Sequence, residues 1–222
     1  RSTQFFTDSL RKFLFGHHLS AQRYTPADIS PYFRVNGRPP AEATYAEMAS
    51  PAFATFVLDV DGLVEHPLHV TLADLRSWPK QVQITKHNCI EGWSAVAEWG
   101  GVSLSEIMAR CHPSATARYV IFYAMDDKST SEPEPAGDGM FYGSIDIALA
   151  SHPQTILAYE MNGKPLPVPH GAPLRLRVES QLGFAMVKYI HRMEFVEDYR
   201  HIGAGQGGWR EDKQFYSQEA GI

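Results

Sequence analysis

His87-Asn88-Cys89-Ile90-Glu91-Gly92-Trp93, followed by Trp99-Gly100-Gly101-Val102, is the stretch on which the reading of the chain turns. Just upstream, Val82 and Ile84 alternate with polar neighbours, so residues 81–88 predict a half-buried strand. That strand delivers Cys89 at its end, and Gly92 to Gly101 predicts a turn-rich loop after it. Taken alone, Cys89 admits three readings: a buried cysteine packed in an aromatic loop, a nucleophile paired with a histidine such as His170, or a permanent thiolate ligand to a soft metal. Its immediate neighbours do not choose among them.

Composition narrows the field from outside. The 222 residues carry 20 Lys+Arg against 25 Asp+Glu, a formal net charge of -5. No basic excess is left over to neutralise phosphates, which argues against a nucleic-acid binder. Hydrophobic residues make up 44%, enough for a sizeable core and too many for a disordered tail. The longest unbroken apolar run, Tyr119 to Met125, falls far short of the roughly 18 residues of a membrane span. Cys89 and Cys111 are the only cysteines, so no disulfide framework exists, although a single bridge is open in an oxidising compartment. The chain opens at Arg1 without a charged-then-apolar leader, so a processed or trimmed product is expected. Composition does not separate cytoplasm from periplasm.

Along the chain, Phe6, Leu10, Phe13 and Leu14 predict an amphipathic helix over residues 5–15. A Pro-punctuated stretch runs from Thr25 to Pro40. Phe53 to Val64 predicts two strands about a turn at Asp61-Gly62. Thr71 caps a short helix reaching Trp78, and Ser103-Leu-Ser-Glu106 opens another that ends near Cys111. Tyr119 to Met125 predicts a buried strand, Asp126 to Gly139 a surface loop, and Ser144 to Ala150 a helix. Further strands are predicted over 155–161, 174–178 and 187–196, with a turn at Asn162-Gly163. Short mixed elements without a regular βαβ rhythm predict an α+β fold, with a helical segment over 1–24, one domain over 25–198, and a Gly-rich tail over 199–222 packed on it.

Several motifs fail on context. The glycines of Gly203-Ala-Gly205-Gln-Gly207-Gly208 lie in the tail, away from any strand-to-helix turn that would hold a nucleotide. His66-Pro-Leu-His69 lacks companions at zinc spacing and reads as two surface residues, as does His17-His18. A second cluster carries more. His170-Gly-Ala-Pro-Leu-Arg175-Leu-Arg177 and Gly183-Phe-Ala-Met-Val-Lys188-Tyr189 set cations on neighbouring segments with an accessible backbone, a grip for a phosphate and a polar ring system or else a solvated strand pair.

Together the two clusters resemble the molybdopterin-binding domain of the sulfite oxidase superfamily. Ile29-Ser-Pro-Tyr32-Phe33-Arg34-Val-Asn36-Gly37 resembles that family's first cofactor-contacting loop. Asn88 to Trp93 with Trp99 to Val102 resembles the loop that presents the metal-binding cysteine. Tyr159-Glu-Met-Asn162-Gly163 through Arg175 and on to Tyr189 resembles the pterin and phosphate cradle. The ordered match covers residues 25–198 and implies a mixed-sheet fold of the sulfite oxidase type.

The resemblance implies a mononuclear molybdenum held by molybdopterin and by Cys89. It places Phe33, Asn36, Gly37, Ala124, His170, Arg175, Met186, Val187 and Lys188 on the cofactor, with any contact at Ala124 coming from backbone. It implies oxygen-atom transfer on a small-molecule substrate. Glu91, two residues from Cys89, is either a proton donor beside the metal or only a hydrogen-bond partner of the loop. Sulfite oxidases proper carry arginines just after the cysteine. Here Ile90-Glu91-Gly92 stands in their place, as in the bacterial branch typified by the catalytic subunit of a periplasmic methionine sulfoxide reductase system. A neutral S- or N-oxide is therefore expected over sulfite, with sulfite oxidation and cofactor binding without turnover as the alternatives. The family's Gly-Tyr-Lys segment reads Gly183-Phe184-Ala185, one cation fewer. No immunoglobulin-like dimerisation domain or haem domain is expected in these residues, and the resemblance implies a monomer that takes electrons from a separate membrane haem subunit or cytochrome. It also implies the periplasm, with the cytoplasm as the alternative.

Overall fold

The structure, a computed structural model, describes residues 23–127 and 139–214. The helix expected over 5–15 and most of the loop expected over 126–139 lie outside the described residues. The first half holds α1 (Ala43–Ala49), β1 (Val57–Gly62), β2 (Leu68–Thr71), α2 (Leu72–Ser77), β3 (Lys80–Asn88), β4 (Ser94–Ser103) and α3 (Leu104–Cys111). The second half holds β5 (Tyr119–Asp127), β6 (Met140–Asp146), α4 (Ile147–Ala150), β7 (Ile156–Met161), β8 (Lys164–Pro165), β9 (Arg175–Arg177), β10 (Ile190–Val196) and α5 (Trp209–Gln214).

These strands form two mixed-length sheets, and helices and strands interleave as an α+β fold. One sheet has the order β2-β1-β10-β5-β6, with β1 parallel to β10 and the other neighbours antiparallel. The second runs β3-β4-β7, and both β8 and β9 pair with β7. One continuous core draws on both: Leu58, Phe122 and Phe195 from the first sheet, Trp99, Leu157 and Leu176 from the second. Leu75 of α2 and Ile107 of α3 join it, each fully buried. The helix starts follow the capping rule. Thr71 accepts from the Asp74 N–H at 3.1 Å and Ser103 from that of Glu106 at 3.2 Å, each satisfying a donor the first turn leaves open.

Four expectations need correction. Asp61-Gly62 is the end of β1 and not a hairpin turn; Gly62 has φ 85, and a Cβ there would stand 2.3 Å from the Phe195 carbonyl oxygen on β10. The second strand of that pair begins at Leu68. Residues 94–101 are no loop but most of β4, paired residue for residue with β3. Its glycines serve close packing: a Cβ at Gly101 would lie 2.1 Å from the Leu157 carbonyl oxygen, where the register against β7 shifts. Residues 140–146 form β6, and helix α4 is only its four-residue continuation. Finally, the polar tail holds a helix. Trp209 of α5 is buried with Ile121 and Tyr142 on the far face of the first sheet.

Candidate cofactor site

β3 and β4 form a hairpin whose five-residue tip, residues 89–93, opens into a cavity of about 450 Å³. The tip is closed on itself. The Cys89 N–H donates to the Trp93 carbonyl at 2.9 Å, and the Gly92 N–H returns to the Cys89 carbonyl at 3.1 Å. Gly92 sits at φ 84, a left-handed conformation that glycine reaches without strain. The geometry leaves the Cys89 sulfur accepting two N–H groups, from the Asn36 side chain at 3.0 Å and from the Glu91 backbone at 3.5 Å. The two contacts fix the position of the sulfur at the cavity. Cys89 and Cys111 are both free, so the open possibility of a bridge between them is not realised.

Phe33, Asn36, Gly37, Glu91, His170, Arg175, Met186 and Lys188 all line the same cavity. They come from segments far apart in sequence. The structure leaves two expected residues off the wall. Ala124 is fully buried in β5 opposite Ile190, and it is Asp126, two residues on, that reaches the cavity. Val187 is buried in the core, its carbonyl accepting from the Leu176 N–H at 2.8 Å. Glu91 lies on the wall with its carboxylate accepting from the Trp93 indole N–H at 3.2 Å, so the loop bond and the position beside the sulfur coexist.

Lys188 acts as a brace. Its ammonium donates to the carbonyls of Asn36 at 2.7 Å and Pro169 at 3.1 Å, tying the first loop to the cradle. Arg175 donates to the His170 carbonyl at 3.0 Å and stacks over Trp99, 4.8 Å from the ring centre. Burial and the neighbouring Arg177 push its guanidinium down to about 9, still charged at neutral pH. Arg177 does not face the cavity. It is fully buried and bonds both Glu179 oxygens, at 3.0 and 2.6 Å.

His87 is the residue that sequence reasoning passed over although it stood in the quoted motif. It lies 5% exposed on the cavity wall, its ring 5.3 Å from Phe33 and 5.5 Å from Trp93. Arg177 Nη1 stands 3.0 Å from its Nδ1, and since a guanidinium only donates, Nδ1 accepts and the proton sits on Nε2. Gly183 is what makes room, because a Cβ there would lie 2.3 Å from Nε2. Burial first, and the charge of Arg177 second, push the His87 pKa down to about 2. The unfolded chain therefore holds the extra proton between that value and about 6.5. Stability should fall as the pH drops through this window, by at most about 1.4 kcal/mol per pH unit for this one group. His87→Gln should lose that share of the slope in urea unfolding compared from pH 7 to pH 4; an unchanged slope would show His87 protonates freely.

Four cations, Arg34, Arg175, Lys188 and Arg210, face two carboxylates, Glu91 and Asp126, around the cavity. Arg210 arrives from α5, and nothing in its polar surroundings marks it in the sequence. The arrangement is a cationic, aromatic-walled cleft with a single cysteine at its base.

A family profile described as the oxidoreductase molybdopterin binding domain matches residues 46–202. The chain belongs to this family. It is 35% identical over 162 residues to a putative protein-methionine-sulfoxide reductase subunit, YedZ1, of Azospira oryzae, covering 73% of this chain and 55% of that one. It is 37% identical over 147 residues to the protein-methionine-sulfoxide reductase catalytic subunit MsrP of Xanthomonas campestris, covering 62% and 44%. The chain thus spans about half the length of the curated relatives it matches. The sulfane dehydrogenase SoxCD of Paracoccus pantotrophus shares the fold, with a TM-score of 0.58 at 18% identity over 82% of this chain and 50% of that one.

The molybdopterin domain's cofactor fits what stands here. A soft sulfur donor is present for molybdenum, and the surplus of cations suits an anionic phosphate. The Arg175 Nε–H is buried without a partner, a donor the cavity leaves to be satisfied. Among the described residues no helix is long and apolar enough to cross a membrane.

Proposed function

We propose that this domain carries out oxygen-atom transfer on a small neutral S- or N-oxide, reducing it with electrons from a separate protein. The observation that carries the reading is the hairpin tip, where Cys89 and Glu91 share one turn at the cavity and no arginine follows the cysteine. The relatives named as methionine-sulfoxide reductases support a sulfoxide as the substrate.

When bound, the cofactor supplies a molybdenum centre able to exchange one oxygen atom and two electrons. Cys89 holds that metal. Asn36 and the Glu91 amide orient the sulfur, and Arg175 with Lys188 holds the phosphate end. Phe33, Trp93 and Phe184 give the cleft its aromatic wall. Reduction of a sulfoxide to a thioether and water consumes two electrons and two protons. Glu91, held through its Oε2 by Trp93, delivers one of those protons from the exposed side of the turn, and solvent supplies the other. A membrane haem subunit or a cytochrome is the electron donor in this reading, in the periplasm.

A second reading rests on Arg34 and Arg210, which line the cavity and would favour a dianion such as sulfite. Two unit charges about 4 Å apart interact by roughly 4 kcal/mol at an effective dielectric of 20, so the balance of these groups decides the substrate. Steady-state assays with artificial electron carriers, sulfite on one side and a panel of sulfoxides on the other, separate the two. Sulfoxide reduction is expected. Efficient sulfite oxidation with no sulfoxide reduction would reverse the assignment.

The cradle makes its own prediction. Charge-assisted bonds to the phosphate are worth roughly 1.5–3 kcal/mol each, so Arg175→Ala and Lys188→Ala should each weaken retention about tenfold or more. Both variants should purify with less molybdenum per chain by elemental analysis. Full occupancy in both would place the cradle elsewhere.

A further inference from the structure

On the opposite theme from the cavity, the loop after β1 and the end of α3 bring together side chains that share no residue with it. The two segments are laced by backbone bonds: the Glu65 N–H donates to the His112 carbonyl at 2.9 Å, His66 to Cys111 at 3.0 Å, and Ser114 to Leu63 at 2.8 Å. Val64 and Pro113 form the bridge between them. This lacing fixes the backbone under Glu65, His66 and His112, whose ligand atoms all lie within 4.8 Å of one another. The His66 and His112 rings stand 5.2 Å apart, and His112 Nδ1 is 3.4 Å from Glu65 Oε2. Ligand atoms around a tetrahedral zinc stand about 3.4 Å apart, so that last pair already has the required spacing. His112 also occupies the left-handed position that ends α3, with φ 48, where glycine is the usual residue.

We propose that Glu65, His66 and His112 form a binding site for a divalent transition-metal ion of the zinc, nickel or copper class. Two imidazole nitrogens and one carboxylate oxygen suit such ions and poorly suit calcium or magnesium, which take oxygen almost throughout. Three protein ligands leave a fourth position open to water or an incoming donor. The spacing His66-Pro-Leu-His69 is not the motif: His69 turns to Asp59 on β1, with Nδ1 to Oδ1 at 2.6 Å, and the true companion, His112, lies far along the chain. A metal here joins the loop to the helix end.

Isothermal titration of zinc chloride into the purified full chain tests this, with the molybdenum content measured alongside. Wild type should bind one zinc per chain with micromolar affinity, and zinc should raise its melting temperature. His66→Ala, His112→Ala and Glu65→Gln should each weaken binding by at least about tenfold, since even partners behind a metal ligand matter that much. All three side chains are exposed, so circular dichroism should report an unchanged fold. His69→Ala should keep the site, because that ring turns to Asp59 on β1 and away from the three ligands. No zinc binding below about 1 mM, or equal binding in the double His66→Ala/His112→Ala variant, would overturn the assignment.

Discussion

Cys89→Ser is expected to lower turnover at least about 100-fold and to purify with little molybdenum, since loss of a ligand outweighs the 10–100-fold cost of losing a partner behind one. Serine keeps the size and the two N–H contacts from Asn36 and Glu91, so the effect isolates the sulfur. Cys111→Ser is the control. Cys111 is fully buried at the end of α3, and burial pushes its thiol up to about 11, so it stays protonated and packs. Its replacement should leave activity nearly intact. Equal losses in the two variants, by metal analysis and by turnover, would refute Cys89 as the ligand.

Arg177→Ala is expected to cost about 3–5 kcal/mol of stability, the usual penalty for stranding one member of a buried ion pair. Glu179 is 6% exposed and would lose its bidentate partner, keeping only the Gln83 amide at 2.9 Å. His87 Nδ1 would lose its donor at the same time. Replacing both charges, as Arg177→Met/Glu179→Leu, should recover most of the loss, because neither member of the pair is then left buried without the other. Urea unfolding of the three proteins checks this. A loss under about 1 kcal/mol in Arg177→Ala would mean that water reaches the pair.

Much of the cavity was legible because its residues sit next to residues that already pointed there. Cys89 follows a run that alternates in a readable way, and the residues that resemble the family's loops from Phe33 to Gly37 and from His170 to Lys188 meet around it. What stayed hidden has physical causes. Gly100 and Gly101 read as loop, yet they are strand residues stripped of side chains because β7 presses on their backbone. β6 was masked by a glycine and two polar residues, Gly143, Ser144 and Asp146, in a strand half covered by the tail. Ala124 lies one strand period short of the wall, since Asp126, on the same face, is the residue that lines the cavity. Arg210 could not be found locally. Its place depends on Trp209 filling a hollow that only the folded sheet provides.

The wall of the cleft runs from Phe33 to Arg210, nearly the whole described chain, with contributions from both sheets and from α5. No single run of consecutive residues supplies the whole wall. The complete lining therefore exists only once both sheets and α5 have packed together. A change in α5, far along the chain from Cys89, is thereby a change in the same cleft.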